Sequence, residues 1–330
     1  MSSGTDNASE FDLIRTLFAP LAVGFEGAFE LGDDAAVFSC SPSSELVVTK
    51  DAMVAGVHFL EDDFADNIAR KLIRTNLSDM AAMGATPRHY LLAIALNERC
   101  NEQWLKTFAK ALHDDQSTFG VHLIGGDTVS TNGPLTLSLT MMGEVPRGKA
   151  LRRNGASAGD LLCVSGTIGD AALGLALATG NIPTVSADDT EFLTSRYFLP
   201  EPRVELGEKL VEMATACLDI SDGLLADINH ICEQSHVAAE VLSDAIPLSK
   251  SAQALVKRDE KLWQLIFGGG DDYELAFTIP PSSRDQLEWL STETGVPLSV
   301  IGTVIAGEGV KVFSKDGSEV AVKSMGWQHR

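Results

Sequence analysis

The chain is poor in positive charge. Lys and Arg number 25 against 46 Asp and Glu, a formal net charge of −21 over 330 residues. Such a chain repels nucleic-acid phosphates and anionic lipid headgroups, so neither nucleic acid nor a membrane surface is an expected partner. No apolar run approaches the ~20 residues that cross a bilayer. Residues 1–10 carry neither a basic segment nor an apolar core. No secretory signal is therefore expected, and the expected compartment is the cytoplasm. Cysteine is sparse, with Cys40, Cys100, Cys163, Cys217 and Cys232 far apart and no C-x-x-C pair. That argues for reduced buried thiols and against a disulfide framework or a zinc knuckle. The common nucleotide and hydrolase motifs are missing too. No G-x-G-x-x-G follows a strand, and H-R-D, D-F-G and G-x-S-x-G do not occur. Gly143 to Lys149 fits G-x-x-x-x-G-K, but Ala150 stands where the metal-binding hydroxyl belongs and Pro146 interrupts it, so a P-loop is not expected.

What is present suits a globular protein of two ordinary domains or one large one, with 45% hydrophobic residues to fill its core. Apolar spacing predicts helices over Glu10 to Phe18, Ile68 to Met83, Glu102 to His113, Asp170 to Ala178, Pro202 to Ala214, Leu224 to Glu233 and Arg284 to Glu293, while Leu262 to Phe267 runs into the glycines at 268–270 without an assigned type. β-branched and alternating stretches predict strands over Glu45 to Thr49, Leu91 to Leu96, Val121 to Ile124, Leu135 to Gly143, Leu161 to Ser165, Ala216 to Ile220, Leu275 to Ile279, Val300 to Val304 and Val310 to Phe313. The alternation reads as α/β or α+β. Turn residues cluster from Pro146 to Asp160, placing a boundary near residue 150. The expected organisation is a flexible start over 1–10, one domain over 11–149 and a second over 150–330.

The acids are distributed unevenly. Many aspartates stand beside glycine at expected strand or loop ends: Gly32-Asp33-Asp34, Thr49-Lys50-Asp51, Ser78-Asp79, Gly125-Gly126-Asp127, Asp219-Ile220-Ser221-Asp222-Gly223 and Gly270-Asp271-Asp272. Any one of these alone reads as a turn or a helix cap. Together they read otherwise. Asp79 lies in an apolar helix and Asp219 closes an apolar strand, where an uncompensated carboxylate is costly. Crowded carboxylates protonate or acquire cations. Oxygen donors select Mg²⁺, Mn²⁺ or Ca²⁺ over zinc, and no EF-hand spacing is present. Glycine-rich loops let backbone N–H groups approach phosphate oxygens. Metal-bridged phosphate chemistry is the reading of the whole set.

The ordered series GDDAAVF (32–38), VVTKDAMVAGVHF (47–59), NLSDMAAMGATP (76–87), LIGGDT (123–128), ALRRNGASAGD (150–160), LDISDGLLAD (218–227) and GGGDDYELAF (268–277) resembles thiamine-monophosphate kinases. That family shares a superfamily with aminoimidazole ribonucleotide synthetase and selenophosphate synthetase, and the likeness runs from about Phe11 to the C-terminus. The resemblance implies a two-domain synthetase-like fold and a homodimer, the N-terminal domains forming a shared β-barrel-like core beside a C-terminal α/β domain. It implies direct transfer of the γ-phosphoryl group of ATP to thiamine monophosphate, giving ADP and thiamine diphosphate, with several Mg²⁺ ions and no phosphoenzyme. By position it implies Asp34, Asp51, Asp79, Asp127, Asp219 and Asp222 as metal ligands, with Thr49 and Lys50 at metal-contacting hydroxyl positions. Gly126 and Asp127 fall on the ATP loop. Arg153 and Ser221 fall on triphosphate contacts, Arg153 supplying positive charge to the transferring group. His58 and Asp271 fall on substrate contacts, and Trp327 is placed to stack on the cationic thiamine rings. Asp51, Asp127, Arg153 and Asp222 are the expected catalytic set. Two positions depart from the family pattern. Lys50 stands where Ser or Thr is usual, leaving its carbonyl as the only possible metal donor or its charge for a phosphate. Asp271 stands where Glu is usual, shortening the reach by one methylene.

Plainer readings compete at single residues. His58 suits a structural histidine, Trp327 a packing residue, Arg153 a solvated charge and Ser221 a cap for the helix that follows. Tyr273 and Glu274 are expected to be structural, and Glu61-Asp62-Asp63 and Asp188-Asp189 to be solvated loop charge. Another superfamily reaction is the second reading, although a selenophosphate synthetase would carry a reactive Cys in its N-terminal segment and residues 11–32 have none. A non-catalytic nucleotide or metal sensor is the third, ranked last because His58, Arg153 and Trp327 accompany the metal set.

Overall fold

The computed structural model describes residues 14–32 and 35–327. Asp34 and the first residues of the helix expected from Glu10 lie outside the described residues; Ile14–Phe18 is a short helical turn. The chain forms two compact units. The first takes the chain to Asn76 and Pro87–Glu144, the second Leu77–Thr86 and everything from Val145.

The first unit holds β1 (Ser44–Val54), β2 (Thr86–Leu96), β3 (His122–Ser130) and β4 (Thr136–Pro146) in the order β1-β4-β2-β3. Helix α1 (Ala65–Ala82) begins in this unit, and α2 (Glu102–Phe119) carries the crossover between the parallel strands β2 and β3. Asn101 caps α2 by accepting the Trp104 N–H at 3.0 Å, and Gly120, at φ 67°, ends it. The helix continues to Phe119, past the expected end at His113. Its last turns are polar, and their burial is invisible to apolar periodicity. Asp115, 1% exposed, takes Arg70 at 2.6 Å and Arg74 at 2.5 Å, both from α1. Strand periodicity then sorts the sheet. Val47, Met53, Leu92, Ile94, Leu137 and Leu139 are buried on one face. Leu46, Val48, Lys50, Leu91 and Ala93 stand exposed on the other.

One expectation about this unit needs correcting. Gly125-Gly126-Asp127-Thr128 is not a loop after the strand but the middle of β3, in register with Leu91 to Ile94. Glycine is required here for strand approach: a Cβ on Gly126 would lie 1.9 Å from the Leu92 carbonyl oxygen.

The second unit holds β5 (Leu161–Ser165), β6 (Ala216–Asp219), β7 (Ala238–Leu242), β8 (Leu275–Ile279), β9 (Leu298–Ile305) and β10 (Gly309–Phe313) in the order β10-β7-β9-β5-β8-β6. Its helices are α3 (Asp170–Ala178), α4 (Ala187–Phe198), α5 (Val204–Leu210), α6 (Leu224–Ser235), α7 (Lys250–Arg258), α8 (Trp263–Gly268) and α9 (Gln286–Thr294). The sheet is apolar on both faces. Leu162, Val164, Leu218 and Ala276 join a core with α3, α4, α6, α7 and α8. Cys163, Cys217, Leu275 and Phe277 join a second core with α5, α9 and Ala81 and Ala82 at the end of α1. Helices therefore cover both sides of a mixed sheet, an α/β architecture.

Four elements escape the sequence reading, among them α8, whose apolar run carries no helix assignment. α4 opens on Asp188 and Asp189, which the charge pattern assigns to a solvated loop. Ser186 caps this helix, and Asp189 instead accepts the Ser186 and Ser251 hydroxyls at 2.6 Å. Acids in a first turn suit the helix dipole. β7 (AAEVL) lacks a β-branched run, and α7 is mostly polar with Ser249 as its cap. Asp63 also differs from expectation, being half-buried and accepting the Leu60 N–H at 2.9 Å. All five cysteines are free thiols; Cys163, Cys217 and Cys232 are buried, Cys40 and Cys100 half-buried. No helix among the described residues is long and apolar enough to cross a membrane.

Phe277 is fully buried and Trp289 is 57% exposed. Phe277→Ala is expected to destabilise the second unit by about 3–5 kcal/mol, and Trp289→Ala by less than about 0.5 kcal/mol. Urea unfolding measures both; equal effects would contradict the packing.

Candidate active site

In the first unit the alternation of β1 separates neighbours that the sequence groups together. Asp51 lies on the inner face, where it is half-buried beside Thr75 of α1, whose side chain hydrogen-bonds it. Burial pushes the Asp51 carboxyl above its ordinary range; the Thr75 bond pulls the other way, as does His58 when charged. Thr49 shares that side of the strand. Lys50 points the opposite way, and its Nζ donates to Ser138 Oγ at 2.6 Å. Ser138 Oγ in turn donates to the Asp51 carbonyl at 3.1 Å. Lys50 lines a cavity of about 640 Å³ with Gly125, Gly126, Asp127 and Thr128. Asp127 is exposed and in register with Ala93, so it belongs to this outer face. Within this unit, Asp51 and Asp127 occupy opposite faces of one sheet.

His58 sits in the turn after β1. Its N–H donates to the Val54 carbonyl at 3.0 Å, and its Nδ1 accepts the Val54 N–H at 3.1 Å. An accepting Nδ1 carries no proton, so the neutral ring holds its hydrogen on Nε2. The backbone thereby presets His58 as an Nε2–H donor.

In the second unit four chain segments meet. β6 ends at Asp219, 5% exposed, which accepts the Ser78 hydroxyl at 2.8 Å. This bond joins the segment that carries the half-buried Asp79 to the strand end. Beyond β6, the Ser221 carbonyl accepts the Asp271 N–H at 2.9 Å and the Ile220 carbonyl accepts the Tyr273 N–H at 2.8 Å. The Asp222 carbonyl accepts the Trp327 N–H at 2.9 Å. Ser221, Asp222, Asp271 and the exposed Trp327 are thus held together by backbone bonds. Asp271 adopts φ 70°, an unusual conformation for a residue with a side chain, and its carboxylate accepts the Tyr273 hydroxyl at 3.3 Å.

Ser221 does not cap α6. The N-cap is Gly223, which has no side chain to do so, and the N–H groups of Ser221, Asp222 and Gly223 each donate to Asp227 Oδ2 at 3.0 Å. Burial pushes the Asp227 carboxyl up to about 7, with the Asp222 charge adding and the N–H bonds opposing. Sequence reasoning passed over Asp227, although an Asp one turn inside a helix that follows S-D-G was the available signal. Arg153 is exposed. Its carbonyl accepts the Ser235 hydroxyl at 3.1 Å, at the C-terminal end of α6. The neighbouring Arg152 carbonyl accepts the Cys217 N–H at 2.9 Å, so this segment also runs beside β6, the strand that leads to Ser221.

Behind this region Glu274, fully buried, receives Arg196 at 3.0 Å, the Arg203 Nε at 2.7 Å and the Ser165 hydroxyl at 2.5 Å. Asp272, 3% exposed, accepts the Gly169 N–H at 2.7 Å at the start of α3. Glu274 is structural, as the sequence suggests. Among the described residues no three His, Cys, Asp or Glu side chains are already clustered as a metal site.

Family models for AIR synthase related proteins match residues 32–145 (N-terminal domain) and 157–315 (C-terminal domain). The thiamine-monophosphate kinase of Caulobacter vibrioides is 43% identical over 324 residues, 97% of this chain and 91% of that protein. The chain belongs to the thiamine-monophosphate kinase family. Among solved structures, the thiamine-monophosphate kinase of Stenotrophomonas maltophilia K279a is 42% identical with a TM-score of 0.80, covering 88% of this chain and 91% of that one. AaThiL complexed with AMPPCP and TMP is 30% identical with a TM-score of 0.77, and each chain covers 100% of the other. The mixed α/β fold implied by the motifs is the fold of this family.

Long-range ¹H–¹⁵N spectra of the family member described here should find His58 at neutral pH as the neutral tautomer protonated on Nε2. A proton on Nδ1 would contradict its bond from Val54.

Proposed function

We propose that the protein transfers the γ-phosphoryl group of ATP to the phosphate of thiamine monophosphate, yielding thiamine diphosphate and ADP. The observation that carries this reading is a full-length match to a structure holding both AMPPCP, an ATP analogue, and TMP. This is the final step in making thiamine diphosphate, and its soluble, charged reactants suit a cytoplasmic enzyme.

Donor and acceptor are both anions, so transfer needs positive charge between them. The donor groups fit magnesium. Asp51 and Asp219 are hard oxygen donors in settings that disfavour an uncompensated charge, and hydroxyls of Thr75 and Ser78 orient them. Asp34, Asp51 and Asp127 with Thr49 from residues 11–149, and Asp79, Asp219 and Asp222 from residues 150–330 and the end of α1, would hold several ions. Bound Mg²⁺ supplies neutralisation and alignment of the two phosphates. The chain's own groups do the rest. Gly126, packed against β2, contributes its backbone to the nucleotide side, and Ser221 offers its hydroxyl to the triphosphate. Lys50 keeps its ammonium in the Asp127 cavity, which favours the phosphate role over metal ligation. His58 donates its Nε2–H to the acceptor, Asp271 fixes the acceptor's polar groups, and the Trp327 ring covers the cationic thiamine. Arg153 supplies charge to the transferring group.

The outer face of the first unit's sheet exposes Leu46, Val48, Leu91 and Val129 at 46%, 55%, 38% and 51%. They share that face with the polar Lys50, Ser138 and Asp127, and exposed apolar side chains gathered on one sheet face suit an association surface. A second copy of the chain covers it, completing a barrel-like core and enclosing the Asp127 side of the sheet.

Purified protein with ATP, Mg²⁺ and thiamine monophosphate should form thiamine diphosphate and ADP, and chelation of Mg²⁺ should abolish turnover. Product from free thiamine alone, or none with any divalent metal, contradicts the proposal. Asp51→Asn and Asp127→Asn should each lower kcat/KM at least about 100-fold with unchanged fold, and Arg153→Ala by a similar factor. Val48→Glu should turn a dimer into a monomer by light scattering; a wild-type monomer would refute the paired sheet.

A further inference from the structure

We propose that Asp227 is a positioning residue that sets the nucleotide side and the acceptor side of the site together, through a single loop. The proposal rests on the function given above. Its ground is an unusual division of labour at the start of α6. A helix start normally receives Ser, Thr, Asp or Asn outside its first turn. Here Gly223 occupies that place at φ 133°, and a Cβ there would lie 2.8 Å from the Gly268 carbonyl carbon. Close approach of the 268–271 segment thus forbids a conventional cap. Asp227 replaces it from inside the helix. Its Oδ2 alone accepts the N–H groups of Ser221, Asp222 and Gly223, each at 3.0 Å, and its side chain is almost fully buried at 2% exposure.

Everything assigned to ligands in this unit's loop cluster hangs on those three residues. Asp222 and Ser221 face metal and triphosphate. The Ser221 carbonyl holds the Asp271 N–H at 2.9 Å, and a Cβ on Gly270 would stand 2.2 Å from that same oxygen. The Asp222 carbonyl holds the Trp327 N–H at 2.9 Å, and the Ala226 N–H holds the Met325 carbonyl at 3.0 Å. Gly326, between them, is packed so closely that a Cβ would lie 2.8 Å from the Asp222 oxygen. No slack remains between the segments, so a shift of residues 221–223 moves Asp222, Asp271 and Trp327 at once. A helix cap alone would affect only the stability of α6. A carboxylate that positions this loop affects two chemically unrelated ligands in parallel.

The test uses the full-length protein, Asp227→Asn and Asp227→Ala. Asn keeps one acceptor oxygen in the same shape; Ala leaves three N–H groups without an acceptor. Calorimetry with Mg²⁺–AMPPCP and, separately, with thiamine monophosphate reads the two sides. Amide exchange reads residues 221–223, and thermal unfolding reads stability. In Asp227→Ala both affinities should fall at least about 10-fold, and amides 221–223 should exchange at least about 10-fold faster. Asp227→Asn should lie between at nearly wild-type Tm. Wild-type affinity for both ligands in both variants overturns the proposal, even if Tm falls. Loss on one side only overturns the coupling. If Asp227→Ala does not fold, the affinities of Asp227→Asn decide alone. A wild-type protein that binds Mg²⁺–AMPPCP but not thiamine monophosphate defeats the kinase reading instead; nucleotide affinity and exchange then still decide whether Asp227 positions the loop.

Discussion

A carboxylate removed from water must be met by donors, a cation or a proton, and this acidic chain meets that demand in two ways. Where the role is architectural, the compensation is built in. Asp115 takes two arginines, Glu274 takes Arg196 and Arg203, and Asp227 and Asp272 take backbone N–H groups. Breaking such a pair by removing one partner costs about 3–5 kcal/mol, which explains why the polar ends of α2 and the 272–274 segment are buried rather than solvated. At the proposed site the donors are of another kind. Hydroxyls reach Asp51 from Thr75 and Asp219 from Ser78. A hydroxyl orients a carboxylate without neutralising it, which is compatible with the proposed binding of a divalent cation.

Glycine provides the second constraint. In the second unit it lets backbones touch where ligand groups must converge, at Gly223, Gly270 and Gly326. In the first, Gly126 serves strand packing against β2, and the same residue pair exposes Asp127 on the outer face. The sheet therefore carries Asp51 and Asp127 on opposite sides of one layer. The proposed homodimer would give the Asp127 side of that layer a neighbour from a second copy.

Much of this was legible from residue patterns. The apolar face of α1, the strand at Leu275–Ile279 and the absence of disulfides follow from periodicity and spacing. What escaped did so for physical reasons. α4 and α7 are mostly polar on their outer faces, and the end of α2 is buried through ion pairs, which hydrophobic patterns do not register. The motif order was sufficient to place the chain in its family, and backbone bonds gather Ser221, Asp222, Asp271 and Trp327 into one loop cluster. Strand alternation at Lys50, the bond from Ser235 to the Arg153 carbonyl and the inward cap from Asp227 required three dimensions, because each depends on which way a side chain or backbone group points.

The most direct measurement is anomalous diffraction from crystals grown with Mn²⁺, AMPPCP and thiamine monophosphate, Mn²⁺ standing in for Mg²⁺. The account predicts metal peaks about 2.0–2.3 Å from carboxylate oxygens of the assigned aspartates, lying between the two phosphate groups. Both ligands bound with no metal between them, and those aspartates turned away, would contradict it.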